Sequence, residues 1–136
     1  MLRSPITAKL AFRGRAQIIA VFEVILEVFD DLHYTEEFHR DGAALLIAKA
    51  KVDGHDIEIV DHMLLDGEGR IAELTVFFRP LPATAAALRR IGTGLGRRNG
   101  AARAAVISTL SAPLAAMAKS GDSIGVRLVK PTLPDG

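Results

Sequence analysis

Cysteine is absent from the 136 residues, which excludes disulfides, thiolate metal sites and cysteine nucleophiles. Tryptophan is absent too, and aromatic residues make up only 5% of the chain. No apolar run approaches the ~18 to 20 residues that would span a bilayer. No hydrophobic signal core follows Met1-Leu2-Arg3-Ser4-Pro5, so the cytoplasm is the expected location. There is no internal repeat and no long low-complexity segment. What is present is a chain 49% hydrophobic and 24% charged, the balance of one globular domain rather than of a disordered segment. The net charge of +1 conceals a division. Residues 1–81 hold 9 Lys/Arg against 14 Asp/Glu and all seven aromatics, whereas residues 82–136 hold 8 against 2 and no aromatic.

Pro5 biases Ser4 away from helix, so residues 4–12 read as extended. Gly14 opens a helical stretch to about Asp30, with Ile18, Phe22, Ile25, Leu26 and Phe29 at three- and four-residue steps. Val21, Val24 and Val28 widen that apolar stripe. From Leu32 the period changes to two, giving strand-like runs at 32–40, 43–52, 55–65 and 70–79. Asp41-Gly42, Asp53-Gly54 and Gly67-Glu68-Gly69 separate them. Asp-Gly between alternating runs is a strong hairpin signal, because both turn positions of the favoured hairpin turn need positive φ. The reading is α+β: an antiparallel meander with a helix laid on it.

Beyond Pro80, residues 83–91 predict a short helix. Gly92 to Gly100 predicts a glycine- and arginine-rich break, Ala101 to Leu110 a further helix, and Ser111 the cap of another that runs to about Lys119 with Pro113 in its first turn. One short strand is expected within 123–133. The basic, alanine-rich extension at 82–136 is expected to pack on the domain at 1–81.

Three segments carry a resemblance: Phe12-Arg13-Gly14-Arg15 before the helix, Asp61 to Ile71 with its Asp-Gly-Glu-Gly-Arg-Ile turn, and Thr75-Val76-Phe77-Phe78-Arg79-Pro80. Together they resemble the nuclear transport factor 2-like superfamily, in its SnoaL-like polyketide cyclase and ketosteroid isomerase branch, over about residues 4–81. The resemblance implies a curved sheet wrapped with helices into a cone around an apolar pocket, in a homodimer. It also implies a tentative catalytic role for Asp61 as hydrogen-bond donor or acid, since ketosteroid isomerases have an aspartate at the matching position. The family's general base is an aspartate before a proline, and that position is Ser4 here. A hydroxyl of very high pKa does not abstract a substrate proton unaided. The family's catalytic tyrosine lies on an N-terminal helix that the sequence lacks. Epoxide-hydrolase relatives need an aspartate where this chain has Val76. Neither isomerase nor epoxide hydrolase activity is therefore expected. Either the natural chain starts upstream of Met1, or the helices at 83–119 cover what the N-terminal helices would cover.

Read from the residues alone, Asp61 shares one strand face with Ile57, Ile59, Met63 and Leu65. Burial among apolar neighbours raises a carboxyl's pKa, although a carboxyl so placed can also be a structural group paired to a neighbour. The expected pocket is lined by Leu46, Ala48, Ala50, Ile59, Asp61, Met63, Leu74, Val76 and Phe78, and suits a hydrophobic small molecule, steroid- or polyketide-like, with one polar oxygen. Glu73, Thr75 and Phe77 on the opposite face would support dimer packing. The competing reading is a non-enzymatic dimeric interaction module whose pocket is filled by its own helices. Tyr34, the only tyrosine, can donate into the pocket or pack with a wet tip. His33, His39, His55 and His62 show no metal-ligand spacing, so no metal and no cofactor are expected. Gly92-Thr93-Gly94-Leu95-Gly96 lacks the G-x-G-x-x-G spacing and the preceding strand of a dinucleotide site. Arg89, Arg90, Arg97, Arg98 and Arg103 form a basic cluster with no aromatic for base stacking. The expectation is docking on the acidic part of this chain or of a partner subunit, with an anionic partner as the alternative and nucleic acid or membrane contact not expected.

Overall fold

Two-residue periodicity and glycine-marked turns organise the middle of the chain, and helices flank it. A computed structural model describes residues 1–3, 11–98 and 100. The elements are β1 (Leu2–Arg3), β2 (Ala11–Phe12), α1 (Arg15–Val28), β3 (Asp30–Arg40), β4 (Ala43–Val52), β5 (His55–Leu65), β6 (Ile71–Arg79) and α2 (Leu81–Arg98). The readings of residues 4–10, of the helices at 101–119 and of a strand within 123–133 lie outside the described residues, as do Ser4 and Arg103.

Strands β3 to β6 form the antiparallel meander. The β4–β5 turn places Asp53 at φ 48° and Gly54 at φ 77°, the double left-handed geometry of a tight hairpin turn. In the β3–β4 turn only Gly42 is left-handed, at φ 70°, so Asp41 does not need the conformation expected of it. The β5–β6 loop is tied by Asp66. Its Oδ1 accepts the backbone N–H groups of Glu68 and Arg70 at 2.9 Å each, and its Oδ2 accepts Arg70 Nε at 3.0 Å. These bonds hold the Asp66 carboxyl below the usual carboxylate range.

The sheet is mixed rather than wholly antiparallel. Its order is β2-β1-β6-β5-β4-β3, and β1 runs parallel to β6 with Leu2 beside Leu74 and Arg3 beside Thr75. Parallel neighbours are joined by long crossovers, so no turn motif announces them. The pairing is anchored by the Met1 ammonium donating to the Ala72 carbonyl at 2.8 Å. Arg3 adds a two-pronged contact with Glu73, at 2.6 and 3.0 Å.

The expected break at Gly92 to Gly100 does not occur among the described residues: α2 runs unbroken through Gly92, Gly94 and Gly96 to Arg98. A glycine inside a helix costs roughly 0.5–1 kcal/mol relative to alanine. Packing explains the exception. A Cβ on Gly94 would lie 2.6 Å from Val24 Cγ1, so α2 can lie this close to α1 only where that side chain is missing. Pro82 sits in the first turn of α2, where its missing N–H costs nothing. The Pro80 carbonyl accepts both the N–H and the hydroxyl of Thr84 at 2.9 Å.

The core lies on one face of the sheet. Ala48, Ala50, Val52, Ile57, Ile59 and Val76 meet Val21 and Phe29 from the α1 side and Ala83, Ala86 and Ala87 from α2. The opposite face holds Ile47, Val60 and Phe77 in one register row, and Phe77 is 56% exposed.

Candidate functional site

The strand register decides which side chains meet. Along β5, Ile57, Ile59, Asp61 and Met63 alternate onto the core face. Asp61 pairs with Leu46 on one side and Val76 on the other, while Ile59 sits between Ala48 and Phe78. Ala48 in turn pairs with Tyr34 on the edge strand β3. A register irregularity between Tyr34 and Glu36 re-aims this part of β3. Tyr34 and Asp61 both lie on the lining of one cavity, with Ala48 between their strands.

These residues border a cavity of about 200 Å³ between the sheet and α1. Its sheet wall is Ala48, Ile59, Leu74, Val76 and Phe78. Phe22, Ile25, Leu26 and Phe29 form the helix wall. Phe29 stands edge-on to Phe78, with ring centroids 5.9 Å apart at 74°, and closes the gap between α1 and β6. Phe22 is 39% and Leu26 69% exposed, so these two stand at the mouth. Among the described residues, Asp61 and Tyr34 are the only polar side chains on the lining. Burial pushes the Asp61 carboxyl above its ordinary value, and the neighbouring Tyr34 phenol opposes part of that rise. Burial, and then the nearby Asp61 charge, push the Tyr34 phenol up as well, although its residue is 57% exposed. The arrangement is an apolar slot with one acid and one phenol converging at its wall.

Six of the nine residues expected at the pocket border this cavity: Ala48, Ile59, Asp61, Leu74, Val76 and Phe78. Three do not. Ala50 is buried opposite Ile57 in the solid core. Met63 packs against the core beside Ala44 and Leu74, and Leu46 lies next to Asp61 but off the cavity wall. The helix wall was not anticipated. Its signal was the apolar stripe of α1, which reads as buried core until the exposure of Phe22 and Leu26 shows otherwise. The buried residues of α1 are instead Val21 and Val24.

The histidines are scattered. His33 Nδ1 lies 2.6 Å from the Asp31 carbonyl, His39 contacts Glu37, and His62 pairs with Thr75 on the face away from Asp61. Among the described residues, Arg89 and Arg90 pair with Asp53 at 3.2 and 3.4 Å, and Arg98 pairs with Glu23 and with Glu27.

Two solved structures share this architecture. A steroid delta-isomerase from Pseudomonas aeruginosa superposes with a TM-score of 0.67 at 23% identity, over 72% of each chain. An uncharacterized protein with a cystatin-like fold from Silicibacter pomeroyi superposes with a TM-score of 0.65 at 24% identity, over 75% of this chain and 70% of that one. The chain has the nuclear transport factor 2-like fold. No protein-family model matches the sequence, and no curated protein matches it significantly. No helix among the described residues is long and apolar enough to cross a membrane.

Proposed function

We propose that the cavity binds a hydrophobic cyclic molecule through one oxygen, held by Asp61 and Tyr34. The observation that carries this reading is the presence of those two groups as the sole polar side chains, among the described residues, of an otherwise apolar lining. A ligand hydroxyl placed between them can donate to the Asp61 carboxylate and accept from the Tyr34 hydroxyl, while the ring contacts Ile59, Val76 and Phe78. Drug-sized ligands occupy pockets of about 300–1,000 Å³. A cavity of about 200 Å³ therefore takes one or two fused rings, and any larger steroid- or polyketide-like body extends past Phe22 and Leu26 into solvent. The likeness to a steroid delta-isomerase supports the ligand class. Proton abstraction is left out of the proposal, because the resemblance puts Ser4 where that chemistry needs a carboxylate.

Because the chain contains no tryptophan, a fluorescent phenol such as 2-naphthol can be titrated against it with little interference. A hydrogen bond contributes about 0.5–1.5 kcal/mol, so Tyr34→Phe should weaken 2-naphthol about threefold to tenfold and leave naphthalene unchanged. Equal affinity of wild type and Tyr34→Phe for 2-naphthol would remove the pair from recognition.

The proposal extends to a second copy of the chain covering the outer sheet face. Phe77 there is 56% exposed in a row with Val60 and Ile47, and apolar rows of that kind mark interfaces. Sedimentation of the wild type and of Phe77→Lys tests it. A dimer that dissociates in the variant is expected, and a monomeric wild type would contradict it.

A further inference from the structure

A second cleft, of about 230 Å³, lies between α1 and α2 and shares no lining residue with the cavity above. Arg89, Arg90, Thr93 and Arg97 line it from α2, and Glu27 from α1. Arg90, Thr93 and Arg97 recur at steps of three and four, so they share one helical face. Gly94 lies on the same face, and its missing side chain is what admits Val24 and shapes the base of the cleft.

The charge arrangement is specific. Asp53, in the β4–β5 turn, is shared by two guanidiniums, Arg89 Nη2 at 3.2 Å and Arg90 Nε at 3.4 Å. One carboxylate restrains both heads and neutralises only one of them. Glu27 is itself answered by Arg98, at 3.3 Å, and Arg98 also contacts Glu23. Arg97 has no carboxylate within 4 Å among the described residues. Each guanidinium has five N–H donors in a planar fork, and Asp53 occupies few of them. The negative end of the α2 dipole opposes an anion in this region, and Arg97 and Arg98 in the last turn offset it. The result is a cleft with held guanidiniums, spare donors, one hydroxyl and an excess of positive charge.

The geometry points to a binding site for a small phosphate-type oxyanion, either free or as a phosphate monoester, held by Arg90, Arg97 and the Thr93 hydroxyl. Guanidinium forks match tetrahedral oxyanions in a two-pronged way, which a diffuse basic surface does not. This site does not depend on the ligand proposed for the apolar cavity.

The test is isothermal titration of the full chain with inorganic phosphate, pyrophosphate and phenyl phosphate, at an ionic strength fixed by chloride. Saturable binding is expected, with pyrophosphate tighter than phosphate. Tighter binding of phenyl phosphate than of phosphate would identify a monoester as the ligand, and the reverse the free ion. Replacing both Arg90→Gln and Arg97→Gln should weaken binding by at least about tenfold, since charge-assisted hydrogen bonds to the anion are lost. Glu27→Gln should tighten it about twofold to fivefold by removing a negative wall charge, the range of an exposed charge pair. Should the double arginine variant not fold, Thr93→Val keeps the arginines and is expected to weaken binding by about tenfold. No heat beyond that of chloride would overturn the proposal, and so would equal affinity in the folded arginine variant or in Thr93→Val.

Discussion

The two halves of the core face are built from the same strands and end in opposite states. At one end α2 lies on β4, β5 and β6 through Ala83, Ala86 and Ala87, and Val52 and Ile57 beneath it are sealed. At the other end α1 presents Phe22, Ile25, Leu26 and Phe29, and a cavity remains. Side-chain size accounts for the difference. Alanines and glycines bring a helix close enough to exclude a void. Bulky rings and leucines hold their helix off the sheet, and Phe29 against Phe78 fixes that separation. Polar groups follow the same division, since Asp61 and Tyr34 lie only at the open end.

The sharpest way to break this contrast is to hollow the closed end. Ile57→Ala should destabilise by about 2–5 kcal/mol, the range for buried isoleucine truncations, as read by urea denaturation. A loss under 1 kcal/mol would mean that this end is not the packed one. Next comes the helix contact. Gly94→Val drives a side chain into Val24 and should cost about 1–3 kcal/mol by the same measurement.

Much of this arrangement was legible in the sequence. The Asp-Gly pairs and alternating residues marked β4 and β5 to their end residues, because both are local signals. Asp61 was legible for the same reason: alternation puts it among Ile57, Ile59 and Met63. Long-range features were not. The β1–β6 parallel pairing leaves no turn motif, and the continuity of α2 depends on Val24, a residue seventy positions earlier than Gly94. The stripe on α1 predicted burial but could not say that Phe22 and Leu26 stand over a void. Tyr34 comes to the same cavity as Asp61 only through the pairing of three strands, which its own neighbours do not encode.

A smaller effect should appear in the pH dependence. Because the folded state raises the Asp61 pKa, it binds that proton more tightly than the unfolded chain does. Stability from this group is present below the ordinary aspartate value and lost as pH rises through the raised one. Asp61→Asn should flatten that decline and make the protein more stable than wild type above it, as followed by thermal melts across pH. Asp66 and Glu73 have lowered values, so their contributions run the other way and fade as pH falls through those values. The smallest expected change belongs to the mouth. Leu26→Gln should alter stability by no more than about 0.5 kcal/mol while weakening binding of an apolar ligand.

The central claim, that Asp61 and Tyr34 act together on one ligand oxygen at the open end, is tested most directly by a double-mutant cycle on 2-naphthol affinity. Wild type, Asp61→Ala, Tyr34→Phe and the double variant are titrated in parallel, with naphthalene as the ligand lacking the oxygen. The two substitutions should be non-additive for 2-naphthol by about 0.5 kcal/mol or more and without effect on naphthalene. Strict additivity for 2-naphthol, or an equal loss for naphthalene, would contradict the account.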